Sequence, residues 1–235
     1  MKFLLLSNST NAGEPYLNYP KYQIKNFLGD KSLNAIFVPF AAVTFSFDEY
    51  EQKVRERFSE MGHRIVSIHK TNSMVDAINA AEAIIIGGGN TFQLLRMLQK
   101  NNLLEVISEK VRNGVPFIGW SAGSNVACPS ICTTNDMPIV ETMGFKALGL
   151  VPFQINPHYS DFAPIGHAGE TRNQRIAEYL AANPKMIVVG LWEGTMLRYM
   201  DSNLSLIGDK KARIFSYNRD AYDVGQGDDL NFLLD

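Results

Sequence analysis

The chain has 235 residues, of which 46% are apolar and 20% charged, and its formal charge is −2. That length suits one large α/β domain or two small ones, and the composition excludes a disordered chain. A near-neutral total gives no reason to expect a nucleic-acid or anionic-membrane partner, but leaves the substrate open, because one buried arginine can set specificity.

The opening apolar run at 3–6 is too short for the core of a signal peptide, and no stretch approaches membrane-spanning length. Cys128 and Cys132 are the only cysteines, too few for a disulfide framework. With no histidine nearby they do not form a zinc motif, and both are expected to be buried free thiols. A cytoplasmic location is the resulting expectation.

In chain order, 2–6 and 34–39 are apolar runs ending in polar, small or Pro-containing sequence, the pattern of buried parallel strands. Ser46-Phe47-Asp48-Glu49 is a capping box, and Phe47, Tyr50, Val54, Phe58 and Met61 recur at helical spacing up to Gly62. Residues 64–69 suggest a strand, 74–82 a helix and 83–86 another buried strand. Asn90 caps a helix through Leu98, helix continues over 104–111, and the strand at 115–119 runs directly into Ser121. Later, 170–182 suggests a helix and 186–191 a strand. Segments 196–200, 204–207 and 212–217, separated by turn residues, predict an antiparallel meander. The alternation implies a mainly parallel, doubly wound sheet with helices on both faces, an antiparallel edge meander, and one domain over 1–235.

Gly119-Trp120-Ser121-Ala122-Gly123 fits a nucleophile elbow, with a strand before it and a helix after. The chemistry needs the serine hydroxyl on a tight turn beyond the sheet, and flanking glycines let neighbouring backbone pass without Cβ clashes. The Ala122 amide would then face a developing oxyanion, helped by the positive end of the helix. Gly87-Gly88-Gly89-Asn90 sits at the same carboxyl edge without the residues of a P-loop or dinucleotide fingerprint, so Gly88 is expected as the second oxyanion donor.

A serine nucleophile needs a base within hydrogen-bond reach. His63 and His69 flank an early strand, and His167 lies in a glycine-flanked loop. His158 follows Gln154-Ile155-Asn156-Pro157, a stiff strand end, and is the expected base. Two acids compete to orient it, and Glu193 is preferred over Asp136. Glu193 lies just past the strand at 186–191, where ligands gather in open α/β sheets, and Asp136 lies in the polar loop 133–138. Asp136 has two other candidate roles, holding a substrate ammonium or capping a turn.

Five blocks in order carry a resemblance: Gly87-Gly88-Gly89-Asn90-Thr91-Phe92-Gln93-Leu94-Leu95, the elbow, Thr133-Thr134-Asn135-Asp136-Met137-Pro138-Ile139-Val140, Gln154-Ile155-Asn156-Pro157-His158, and Gly169-Glu170-Thr171-Arg172 with Arg175-Ile176. Together they resemble the peptidase E family of α-aspartyl dipeptidases, serine peptidases on a fold shared with class I glutamine amidotransferases. The resemblance implies removal of an N-terminal aspartate from small peptide substrates, Asp-Xaa dipeptides, with no metal or organic cofactor. Ser121 and His158 fall on the family's nucleophile and histidine, and Asp136 and Glu193 both fall on acids proposed as the third member. Ser124 stands where alanine is expected, and Trp192 where proline is expected. The first would add a polar group under the elbow, and the second would narrow the pocket.

Physical chemistry adds a reason to single out Arg172. Selecting aspartate requires pairing a carboxylate in a partly dry pocket, which a bidentate arginine does best. Arg175 is the alternative, and Glu170 or Asp136 would take the substrate ammonium. Three rivals share the architecture: a cyanophycinase-like β-aspartyl hydrolase, a glutaminase-type amidotransferase (disfavoured because that chemistry uses cysteine at the position of Ser121), and a catalytically inactive binding module. Oligomeric state is not encoded in any of these features.

Overall fold

The computed structural model describes residues 1–162, 166 and 168–234. Strands β1 (Lys2–Leu6), β2 (Asn34–Val38), β3 (Arg64–Ser67), β4 (Ala83–Ile86) and β5 (Pro116–Trp120) lie parallel in the order β3-β2-β4-β5-β1. Strands β8 (Met196–Met200) and β9 (Asn203–Ile207) extend this sheet beyond β1 in antiparallel fashion, giving seven strands.

Both faces of the sheet are covered, which is why its strands read as unbroken apolar runs. Leu4 and Leu6 point to one face, where Ile24 and Phe27 of helix α1 (Lys21–Leu28) and Val54 and Phe58 of α2 (Phe47–Glu60) meet them. Phe3 and Leu5 point to the other, against α3 (Met74–Ala80), α4 (Thr91–Lys100) and α5 (Leu103–Arg112). The capping box at α2 forms as the sequence implies: Glu49 N donates to Ser46 Oγ at 3.2 Å and Ser46 N donates to Glu49 Oε2 at 2.7 Å.

The structure departs from the sequence reading in several elements. The strand expected over 64–69 ends at Ser67 and turns into a 3-10 helix at Ile68–Lys70. Helix α1 was not expected; it has no side-chain cap, and its eight residues follow a Pro-, Tyr- and Asn-rich stretch that reads as loop. The third strand of the expected meander, β10 (Ala212–Ser216), leaves the main sheet altogether. It pairs antiparallel with β7 (Ile187–Trp192) in a second, four-stranded sheet of order β11-β10-β7-β6, where β6 (Gln154–Tyr159) runs parallel to β7 and β11 (Tyr222–Val224) antiparallel to β10. An alternating apolar pattern fixes which side chains are buried, not which strand edge they pair with.

One face of the second sheet, through Ile155, Val189, Leu191 and Ile214, shares a core with the main sheet. The other face is covered by Ile176 and Leu180 of α7 (Arg172–Ala182), packed on Tyr159, Val188 and Phe215. Among the described residues, no helix is long and apolar enough to cross a membrane.

Of the two cysteines, Cys128 is buried but Cys132 is exposed, which corrects the expectation that both are inside. Burial pushes the Cys128 thiol up to about 12, so almost no thiolate forms near neutral pH. The native protein should therefore titrate one thiol with an aromatic disulfide reagent, at Cys132, and a second only after denaturation. Two fast-reacting thiols in native protein would contradict this placement.

Candidate active site

The site lies where the carboxyl ends of β5, β6 and β7 converge. Ser121 follows β5 directly and has φ 53° and ψ −113°, a conformation an L-residue rarely adopts and one that costs about 1–3 kcal/mol. The two elbow glycines make it possible. A Cβ on Gly119 would fall on the Gly123 carbonyl, and one on Gly123 would fall on the Ile86 carbonyl at the end of β4. The helix that follows, α6 (Ala122–Asn125), has four residues. It is too short to contribute much macrodipole, so any oxyanion stabilisation here comes from individual N–H groups.

Gly88 crosses close to the serine: a Cβ there would sit 3.0 Å from Ser121 Cβ. Its carbonyl accepts from Tyr50 Oη at 2.9 Å, and Tyr50 in turn accepts from Trp120 Nε1 at 3.1 Å. That chain fixes the plane of the Gly88–Gly89 peptide. Among the described residues, neither the Gly88 N–H nor the Ala122 N–H donates to a protein acceptor.

His158 sits in a bulge. Pro157 pairs with Leu191 and Tyr159 with Trp192, so His158 is the extra residue on β6, and its φ is 52°. Bulges beside active sites re-aim a side chain, and here the imidazole turns toward the elbow. Nε2 lies 2.8 Å from Ser121 Oγ, and Nδ1 lies 2.7 Å from Glu193 Oε1. A carboxylate only accepts, so the proton belongs on Nδ1 and the lone pair of Nε2 faces the serine hydroxyl. Glu193 occupies the turn joining β7 to β8, closed by Thr195 N donating to Trp192 O at 3.1 Å, with Gly194 at φ 88°. A positive φ at the third position only is a type II turn, which needs glycine there. The His158 and Glu193 side chains are 40% and 52% exposed, so their hydrogen bond adds little to stability and acts chiefly on ring orientation.

The model of peptidase family S51 matches residues 3–207. A peptidase E of Nostoc is 50% identical over 234 residues, covering 100% of this chain and 97% of its own, and one of Salmonella arizonae is 44% identical over 227 residues, covering 97% and 99%. The chain belongs to peptidase family S51. It is a serine-type dipeptidase, as the resemblance implies. Two solved structures share the fold: a putative peptidase E from Listeria monocytogenes (TM-score 0.66, 19% identity, 89% of this chain and 98% of that one) and a peptidase from an acI-B1 actinobacterium (TM-score 0.71, 17% identity, 97% and 96%).

The two acids weighed as partners of the histidine of this S51 peptidase are separated in space. Glu193 meets the ring, whereas Asp136 Oδ2 accepts from Thr91 N at 2.7 Å and Thr91 Oγ1 at 2.6 Å, closing the first turn of α4. Asp136 Oδ1 has no protein partner among the described residues. Arg172 opens α7 half-buried and without a carboxylate partner among the described residues; burial, then the neighbouring Arg175 charge, lowers its pKa. Arg175 and Glu170 instead pair with each other at 3.7 Å, both well exposed. The start of α7 is tied to β6 because Tyr159 Oη donates to Asn173 Oδ1 at 2.6 Å.

The remaining histidines stand elsewhere. His63 is buried at the start of β3, and burial, with Lys25 nearby, holds its imidazole below the usual range. His69 contacts Ser67 and Asp48. His167 lies outside the described residues. Asp48, Glu51 and His69 bring ligand atoms together, but Lys70 Nζ lies 2.6 Å from both carboxylates and supplies the countercharge.

The departures at Ser124 and Trp192 have structural roles. Ser124 Oγ lies 2.7 Å from Leu6 O and 2.8 Å from Gly119 O, stitching the elbow to β1. The Trp192 ring meets Tyr159 edge-on at 4.4 Å, and the Arg213 guanidinium lies 5.3 Å from the Trp192 ring centre. Two side chains have supporting roles that the sequence does not mark: Tyr50, which reads only as part of the apolar stripe of α2, and Asn135, whose Nδ2 donates to Pro157 O at 2.7 Å.

Because Gly123 packs on the β4 carbonyl, Gly123→Ala should lower unfolding free energy by about 1–3 kcal/mol and abolish turnover. Urea denaturation checks this; a variant with wild-type stability and activity would contradict the packing described.

Proposed function

We propose that this dipeptidase hydrolyses Asp-Xaa dipeptides through an acyl-enzyme on Ser121. Ser121 Oγ attacks the scissile carbonyl while His158 Nε2 takes its proton, and Glu193 pairs with the imidazolium at Nδ1. The Gly88 and Ala122 N–H groups donate to the oxyanion. His158 then returns the proton to the leaving amine, releasing Xaa and leaving an aspartyl ester. Water, deprotonated by His158, attacks that ester and regenerates the serine hydroxyl.

The observation that carries the specificity is Arg172: a half-buried guanidinium without a carboxylate partner, at a helix start tied to the strand that bears His158. A substrate carboxylate would pair with it, and the free ammonium would meet Asp136 Oδ1. Glu170 and Arg175, already paired in solvent, suit these tasks less well.

Replacing the aspartyl carboxylate by an amide strands the guanidinium, at a cost of about 2–5 kcal/mol, or roughly 30- to several-thousand-fold. Asp-Leu should therefore be cleaved far faster than Asn-Leu, and the β-linked isomer of Asp-Leu should be a poor substrate. Arg172→Ala should collapse the Asp/Asn ratio, chiefly by losing the Asp rate. A ratio unchanged in Arg172→Ala places the specificity arginine elsewhere, and preferred cleavage of the β-linked isomer replaces the aspartyl-dipeptidase reading with the β-aspartyl one.

The two acids should differ in kinetics. Glu193→Gln is expected to lower kcat by roughly 10²–10⁴-fold with little change in KM, whereas Asp136→Asn should mainly raise KM. The reverse pattern would assign His158 orientation to Asp136.

A further inference from the structure

Ser121 follows β5 of the main sheet, whereas His158 lies on β6 of the second and Glu193 in the turn that leaves β7, so their register depends on whatever joins the sheets. The exit of β1 does this with three successive residues. Leu6 O accepts the Ser121 N–H at 3.1 Å. Ser7 Oγ accepts the His158 N–H at 2.9 Å and donates its own proton to Leu191 O at 2.6 Å. Asn8 Oδ1 accepts the N–H of Gly194, the residue after Glu193, at 2.8 Å.

Ser7 is the centre of this arrangement. It is fully buried, and its hydroxyl uses donor and acceptor at once, on two adjacent strands of the other sheet. The His158 N–H lies in a bulge, where the regular ladder is interrupted. The same peptide is held at its other end by Asn135 Nδ2 on Pro157 O, at 2.7 Å. With both ends held, the peptide plane cannot rotate, and that rotation sets φ at His158 and the direction of the ring.

We propose that Ser7 is a positioning residue of the hydrolytic reaction: its hydroxyl holds the His158 bulge so that Nε2 meets Ser121. The proposal rests on the reading of Ser121, His158 and Glu193 as the reacting triad. Ser7 touches no substrate atom. Without the hydroxyl, the bulge relaxes toward a regular strand and the imidazole moves off the serine.

The test compares Ser7→Ala with wild type on Asp-Leu, with Ser67→Ala and Ser121→Ala alongside. Ser67 is another fully buried serine, on edge strand β3 away from the site, so Ser67→Ala reports the effect of losing a buried hydroxyl alone. A misplacement near 1 Å costs on the order of 10²-fold, so Ser7→Ala should lower kcat about 10- to 100-fold with KM within about threefold. Its low-field His158 Nδ1 proton resonance should shift or broaden, while Ser67→Ala keeps the wild-type kcat and spectrum. If Ser7→Ala does not fold, Ser7→Cys preserves the volume with a weaker, longer contact, and should still lose at least about fivefold in kcat at unchanged KM.

Wild-type kcat in Ser7→Ala, or in Ser7→Cys where the alanine variant does not fold, overturns the proposal, as does an equal loss in Ser67→Ala. If Ser121→Ala is inactive while the Ser7 variants are normal, only the positioning role falls. If Ser121→Ala remains active, the triad reading fails and the proposal falls with it.

Discussion

The 2.8 Å contact between Ser121 and His158 spans two separate sheets, and each of its ends sits on a backbone with φ just above +50°. Each such residue costs about 1–3 kcal/mol, so the pair persists only because the surroundings over-determine it. At Ser121 the determinants are steric, in that Gly119 and Gly123 allow strand, turn and helix to pass at backbone contact distance. At His158 they are polar: a bulge whose peptide is hydrogen-bonded at both ends, and a ring pinned by Glu193. A strained serine next to a regular His158 strand would leave the hydroxyl without its base.

The same division of labour extends outward. Gly88 is placed by the β4 exit and oriented through a Tyr50–Trp120 chain beneath it, so the main sheet supplies both Ser121, the proposed nucleophile, and the amides around it. The second sheet supplies the histidine and its acid and, through Tyr159 and Asn173, fixes the start of the helix bearing Arg172. A Glu193 exposed to solvent suits a site that a small peptide enters from outside. It also means that the hydrogen bond to His158 contributes geometry more than stability.

Much of this was legible in the sequence because it is local. The parallel strands announce themselves as buried apolar runs, the α2 cap as Ser46 with Glu49, and the elbow as glycines around Ser121 between strand and helix. What stayed illegible depends on contacts between distant segments. Nothing near β10 says which sheet edge it joins, and nothing near Asp136 says that Thr91, some 45 residues away, will claim one of its oxygens. Along the chain Glu193 is favoured over Asp136 only by its place just past a strand end, and the turn at Gly194 and the closure of α4 part them in space. Cys132 likewise resembles Cys128 in sequence, yet one faces solvent and the other the core. Helix α1 escaped because it has no cap signal and takes its stability from Ile24 and Phe27 against the sheet.

The central claim is that the aspartyl group passes through an ester on Ser121. Rapid mixing with Asp-p-nitroanilide, an acid quench and peptide mass analysis test it most directly. The account expects the peptide containing Ser121 to gain the mass of one aspartyl residue early in turnover, with p-nitroaniline released in matching amount. An aspartyl adduct on any other residue would contradict it.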